Sequence, residues 1–129
     1  MGRRLISSGG PWEAVAGYSR AVVVGDACWV AGTTDAGPDG RSSHPGDVAG
    51  QARAVFGIIA KALDDAGFAL GDVVRIRMFV TDITTQWEAV AAVQGELFRD
   101  IRPAATMVGV AALIDPSLLI EIEVEARRG

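Results

Sequence analysis

Residues 118–126 read Leu-Leu-Ile-Glu-Ile-Glu-Val-Glu-Ala, with Ile120, Ile122 and Val124 alternating against Glu121, Glu123 and Glu125. A period of two places the apolar side chains on one face of a β-strand and the carboxylates on the other, so the stretch belongs to a sheet covered on one side only. Residues 73–82 (Val-Val-Arg-Ile-Arg-Met-Phe-Val-Thr-Asp) repeat the pattern, with Ile76, Met78 and Val80 on one side and Arg75, Arg77 and Phe79 on the other. If the two strands are near one another, Arg75 and Arg77 are the counter-charges of the glutamates. From alternation alone the face is then a solvated, salt-bridged sheet surface.

Arg20 to Gly32 holds two β-rich runs broken by Gly25-Asp26, a hairpin signal. A short strand is expected over Arg4 to Ser7 and another from Ala104 to Leu113, followed by a turn at Asp115-Pro116. Between Thr33 and Gly46 glycine and proline recur, and a surface loop is expected there. Asp47 opens a helix in which Val48, Ala52, Val55, Ile59, Ala62, Leu63 and Ala66 recur at helical spacing, with Gln51, Arg53, Lys61 and Asp64 set away from that stripe. Asp47 suits the N-cap and Gly67 the left-handed C-terminal position. Thr85-Gln-Trp-Glu88 has capping-box spacing for a second helix, whose stripe of Trp87, Val90, Gln94 and Leu97 ends near Phe98. The order of elements is α+β: one sheet with helices on a single face, forming one domain over residues 1–129.

Charge and composition narrow the function. The 129-residue chain carries 12 Lys and Arg against 16 Asp and Glu, and its basic residues run together only at Arg3-Arg4 and Arg127-Arg128, so nucleic acid is not an expected partner. One cysteine and one histidine allow neither an intrachain disulfide, nor a Cys/His metal site, nor a Ser-His-Asp triad, and no metal or cofactor is expected. Cys28, between Ala27 and Trp29, reads as a buried structural thiol, and His44 as a solvated loop residue. No phosphate-binding glycine loop is present. No apolar run approaches the roughly 20 residues that cross a bilayer, which gives the expectation of a cytoplasmic protein away from membranes. Gly17-Tyr18-Ser19 reads, by itself, as a turn that tucks the only tyrosine over the core edge.

Four pieces in this order are similar to the Rid/YjgF family, also called endoribonuclease L-PSP. They are Gly17-Tyr18-Ser19-Arg20-Ala21-Val22, like GPYSQAV; Val30-Ala31-Gly32-Thr33, like the SGQ turn; Arg102-Pro103-Ala104-Ala105-Thr106, like PPARS; and Ile120-Glu121-Ile122-Glu123, like VEIE. The resemblance implies a chorismate-mutase-like fold with a mixed sheet and two helices on one face, and a homotrimer whose three clefts lie at subunit interfaces. It makes Glu121 the acid/base candidate, handling water in the hydrolysis of enamines and imines such as 2-aminoacrylate. Ala105 stands where the family arginine grips the substrate carboxylate, and alanine supplies neither charge nor donor, which argues against 2-imino acid deamination of the usual kind. Met107 replaces a cysteine, and Ala91 and Gln94 take the helix positions of Asn and Tyr in many relatives. Arg102, three residues before Ala105, starts from the opposite strand face and is a poor substitute. Thr106 and the backbone amides at Gly32 and Thr33 are then the expected hydrogen-bond donors, and Tyr18, Trp87 or Met107 the apolar contacts, suiting a less acidic, flatter ligand. The resemblance thus implies a protein acting on or binding a reactive carbonyl, imine or enamine metabolite. A non-enzymatic binder or chaperone-like trimer is the alternative, and an endoribonuclease is the weakest reading.

Overall fold

The computed structural model describes residues 2–129. Strand β1 (Arg3–Ile6) is followed by a short helix α1 (Pro11–Ala16), the hairpin strands β2 (Ala21–Val24) and β3 (Ala27–Thr33), and helix α2 (Val48–Asp65). Then come β4 (Val73–Thr81), α3 (Ile83–Phe98), β5 (Ala104–Val110) and β6 (Ile120–Arg127). All six strands join one sheet in the order β1-β2-β3-β6-β4-β5. Neighbours run antiparallel except β4 and β5, whose parallel pairing requires a crossover that α3 supplies. The result is the expected α+β arrangement with a mixed sheet.

β6 lies between β3 and β4, so the acidic-apolar alternation belongs to an interior strand. Ile120, Ile122 and Val124 are buried beside Ile76, Met78 and Val80 of β4, and α2 and α3 cover them with Val55, Phe56, Ile59, Leu63, Val90, Val93 and Phe98. Phe56 and Phe98 meet edge to face at 5.3 Å, tying the two long helices together. Each large apolar side chain so enclosed contributes about 1.5–3 kcal/mol. Cys28 is buried as expected, and that burial pushes its thiol up in pKa.

Several expectations change in detail. α1 is too short to show a hydrophobic period; its marks are Pro11 at the first turn and Gly17 closing it at φ 72°. α3 starts at Ile83 and not after Thr85, because Asp82 takes the cap position in the left-handed region at φ 50° and the Thr85 hydroxyl folds back onto Asp82. No capping box forms at Thr85-Glu88, since Thr85 already lies inside the first turn. β5 ends at Val110, short of Leu113, because the chain must reverse and pass β4 to enter β6; Asp115 organises that turn by accepting the amide of Ser117 at 2.9 Å. The loop before α2 is also anchored. Half-exposed His44 places Nδ1 3.2 Å from the buried carboxylate of Asp35, which also accepts from Ser42 Oγ at 2.8 Å.

Gln51 is the largest departure. Helical periodicity places it on the polar side, yet it is fully buried. Its Nε2 donates to His44 O at 3.1 Å and Ser117 O at 3.0 Å, while its Oε1 accepts the Leu119 amide at 2.8 Å. One amide thereby satisfies three backbone groups that the sheet cannot reach, and pins the entry to β6 two residues before Glu121. Asp47 caps the same helix as expected, accepting the Gly50 amide at 2.9 Å. Gln51→Leu keeps the volume but strands those groups, each worth about 1–3 kcal/mol when left unbonded. A clear fall in the urea unfolding midpoint is expected, with a larger loss than Arg53→Leu on the exposed side of α2.

Candidate functional site

The sheet face away from α2 and α3 is open. Along it β4 and β6 set Arg75 opposite Glu125, Arg77 opposite Glu123 and Phe79 opposite Glu121. Arg77 Nη1 lies 3.0 Å from Glu125 Oε1 and 3.8 Å from Glu123 Oε1. Arg75 donates to Thr106 Oγ1 at 2.8 Å and pairs with no glutamate within 4 Å among the described residues. The expected salt-bridged surface therefore covers two of the three glutamates. Glu121, facing an aromatic ring across the ladder, is left outside it.

Glu121 finds its place against β3. Val30 pairs with Val124 and Thr33 with Ile122, so three steps of β3 span two of β6 and the ladder bulges there. The bulge leaves Val30 and Thr33 both turned into the core. Opposite them Gly32 offers a bare backbone, and the Glu121 carboxylate packs so close that a Cβ at position 32 would overlap its Oε2. Any side chain here would have to displace the Glu121 carboxylate, so the glycine matters through close approach and not through its dihedral angle.

The two residues share a cavity of about 830 Å³ with Tyr18, Arg20, Thr34 and, from α2, Ile58 and Lys61. A second hollow of about 620 Å³ on the open face is bordered by Leu5, Trp29, Arg77, Glu123 and Glu125, and Tyr18 touches both. Burial raises the carboxyl of Glu121 above its ordinary 4.5; nearby Arg20 pulls it back, and the like charge of Glu123 adds to the rise. A half-buried carboxyl whose pKa is raised is a better proton carrier near neutral pH than a fully solvated one. Among the described residues no group of three or more His, Cys, Asp and Glu side chains is placed to hold a metal ion, and no helix is long and apolar enough to cross a membrane.

Of the residues singled out by sequence, one chain brings together Tyr18, Gly32 and Glu121. Thr33 is separated from them by the bulge: its side chain is buried and its hydroxyl donates to Ala31 O at 2.8 Å, leaving Thr34 at the cavity wall. Ala105 and Met107 pair with Ile76 and Met78, and so face the helix side of β5, whereas Thr106 pairs with Arg77 on the open face. Gly109, in phase with Ala105, confirms the assignment, since a Cβ there would stand 2.7 Å from Ile83 of α3. Trp87 is exposed on α3 and borders neither cavity. Arg102 turns away at φ 54° and donates from Nε to Arg99 O at 2.9 Å, so it does not restore the missing guanidinium. Sequence patterning gives Arg20 only as the residue that opens the hairpin; the signal that marks it is its place immediately after Tyr18-Ser19.

The family model described as endoribonuclease L-PSP matches residues 10–128. The chain belongs to the endoribonuclease L-PSP family. Among family structures, that of Rv2704 from Mycobacterium tuberculosis, a member of the YjgF/YER057c/UK114 family, superposes with a TM-score of 0.88 at 45% identity, covering 98% of this chain and 100% of that one. An uncharacterised protein of Streptomyces coelicolor is 36% identical across 98% of this chain and 92% of its own. The 3-aminoacrylate deaminase RutC of Acinetobacter baylyi is 32% identical over 95% of each chain.

The raised carboxyl has a sign that can be measured. The folded protein holds the Glu121 proton to higher pH than the unfolded chain does, so this group favours folding below pH 4.5 and loses that contribution as pH rises through the folded value. Glu121→Gln is expected to raise Tm at pH 7 relative to the parent protein, the gap closing as pH falls below 4.5. Gly32→Ala, which drives the carboxylate out toward water, is expected to shrink the same gap in thermal scans across pH.

Proposed function

We propose that three copies of this chain associate through their open sheet faces. Each interface completes a cleft in which Glu121 moves protons on a small carbonyl, imine or enamine metabolite. The observation that carries the reading is the Glu121 carboxylate packed on Gly32 inside a cavity, with its ionisation held back by burial. Two features support the assembly. The uncovered face exposes Leu5, Val24, Trp29 and Val108 beside its charges, an apolar area that association would cover. Ala105 and Met107 lie on the opposite side of the sheet from Glu121, with β4 between the strands. A site that uses both strands must then draw β5 from a neighbouring copy.

The chemistry needs one carboxyl group. Water adds to the imine carbon as its proton passes by way of Glu121 to the imine nitrogen, giving a carbinolamine. Glu121 next carries the remaining hydroxyl proton to nitrogen while the C–N bond breaks, releasing ammonia and leaving the carbonyl. One water is consumed, and the carboxyl ends as it began. An enamine enters the same sequence after tautomerisation, in which one proton is added at its β-carbon and one is lost from nitrogen, gives the imine. The relative that is a 3-aminoacrylate deaminase supports this reaction class. Three glutamates on the open face and a net charge of -4 argue against RNA as substrate.

A second reading, binding without turnover, is favoured by Ala105, which provides no cation on β5. Ammonia release from 2-imino acids generated in place by an amino-acid oxidase separates the two. The parent protein and Ala105→Arg are expected to accelerate hydrolysis, and Glu121→Ala to lose about 100-fold or more, the usual share of a general acid-base group. Equal inertness of all three leaves only the binder.

A further inference from the structure

The cavity that holds Glu121 also holds an arginine with a single side-chain hydrogen bond to the protein. Arg20 lines the wall, its guanidinium carbon 5.8 Å from the centre of the Tyr18 ring. Nη2 donates to Gly32 O at 2.8 Å, while Nε is shut away from solvent with no acceptor in reach. A guanidinium has five N–H donors in a rigid plane, and here one bond is made. No carboxylate among the described residues comes within 4 Å of it. Lys61, the other cation on the same wall, is already paired with Asp65 at 2.8 Å. Arg20 is therefore the one cation of the cavity without an ion-pair partner within 4 Å among the described residues.

A half-buried charge with so few partners is costly to maintain for structure alone, since the single bond to Gly32 O could come from a neutral donor. Glu121 feels its charge but makes no ion pair with it within 4 Å, because that carboxylate packs against Gly32 from its own strand. Gly32 thus sits between the two groups, its carbonyl holding Arg20 and its bare Cα admitting Glu121. Such neighbours match a ligand whose anionic group and reacting carbon are joined directly.

We infer that Arg20 is the specificity-determining cation of this cleft, binding the carboxylate of the ligand from the start of β2 in place of the guanidinium that position 105 of β5 lacks. The inference rests on the reading of the Glu121 cavity as a small-molecule site. It also revises the expectation of a less acidic ligand, which holds for Ala105 only if nothing else supplies the charge. Tyr18 acts as the platform that keeps the guanidinium flat, and the Gly32 carbonyl sets its rotation about the ring.

Calorimetric titration with 2-oxobutanoate and with its neutral amide tests this without requiring turnover. The acid is expected to bind and the amide to bind about tenfold more weakly or not at all, as befits a lost charge-assisted pair. Arg20→Gln should erase that preference, Arg20→Lys should restore part of it, and Glu121→Gln should keep it. Equal binding of acid and amide by the parent protein overturns the inference, as does failure of both to bind, or an Arg20→Gln protein that folds and still prefers the acid. If 2-imino acids are hydrolysed with the same KM by the parent and Arg20→Gln proteins, the catalytic reading stands and Arg20 is excluded. Arg20-dependent binding of the acid with no hydrolysis of any imine gives the reverse.

Discussion

Everything in this fold that bears on function depends on the phase of β6. Because Ile120, Ile122 and Val124 are locked into the core by two neighbouring strands and two helices, Glu121, Glu123 and Glu125 have no choice of face. A slip of one residue would bury three carboxylates and expose the largest aliphatic side chains, so hydrophobic burial sets the register and electrostatics conforms to it. The Gln51 amide secures the phase from the other side by fixing the backbone just before the strand begins.

Within that frame the three glutamates diverge through their cross-strand partners. Arg77 compensates Glu125 and, less closely, Glu123, whereas Glu121 faces Phe79 and rests on Gly32. The same repeated residue type therefore yields two surface ion-pair members, worth little to stability, and one group with displaced acidity. Arg20 adds the opposite charge at a distance too great to pair within the described structure and near enough to matter electrostatically.

How far the sequence could be read depends on which signals are local. The alternation at 118–126 and 73–82, the Gly25-Asp26 hairpin and the Asp47 cap are set by neighbouring residues, and each appears in the structure close to where patterning puts it. Gln51 escapes because periodicity treats a polar residue as outward, while its partners at His44, Ser117 and Leu119 are brought together only by the tertiary fold. Thr33 escapes because a bulge shifts the strand phase and nothing in Val-Ala-Gly-Thr declares one. The site divides in the same way. Tyr18, Gly32 and Glu121, distant in sequence, line one cavity, whereas strand alternation sends Ala105 and Met107 to the other side of the sheet from Glu121, and Arg20 gains meaning only from what does not reach it.

One carboxylate of an otherwise ordinary acidic strand is thus half-buried in a cavity, and that burial raises its pKa. Carbon-13 NMR titration of the intact protein, with the Glu121 carboxyl resonance assigned through Glu121→Gln, reads that property without an intermediary. A midpoint above 4.5 is expected for Glu121. A midpoint at or below that value would mean that burial does not govern the acidity of Glu121, and would contradict the acid-base group described above.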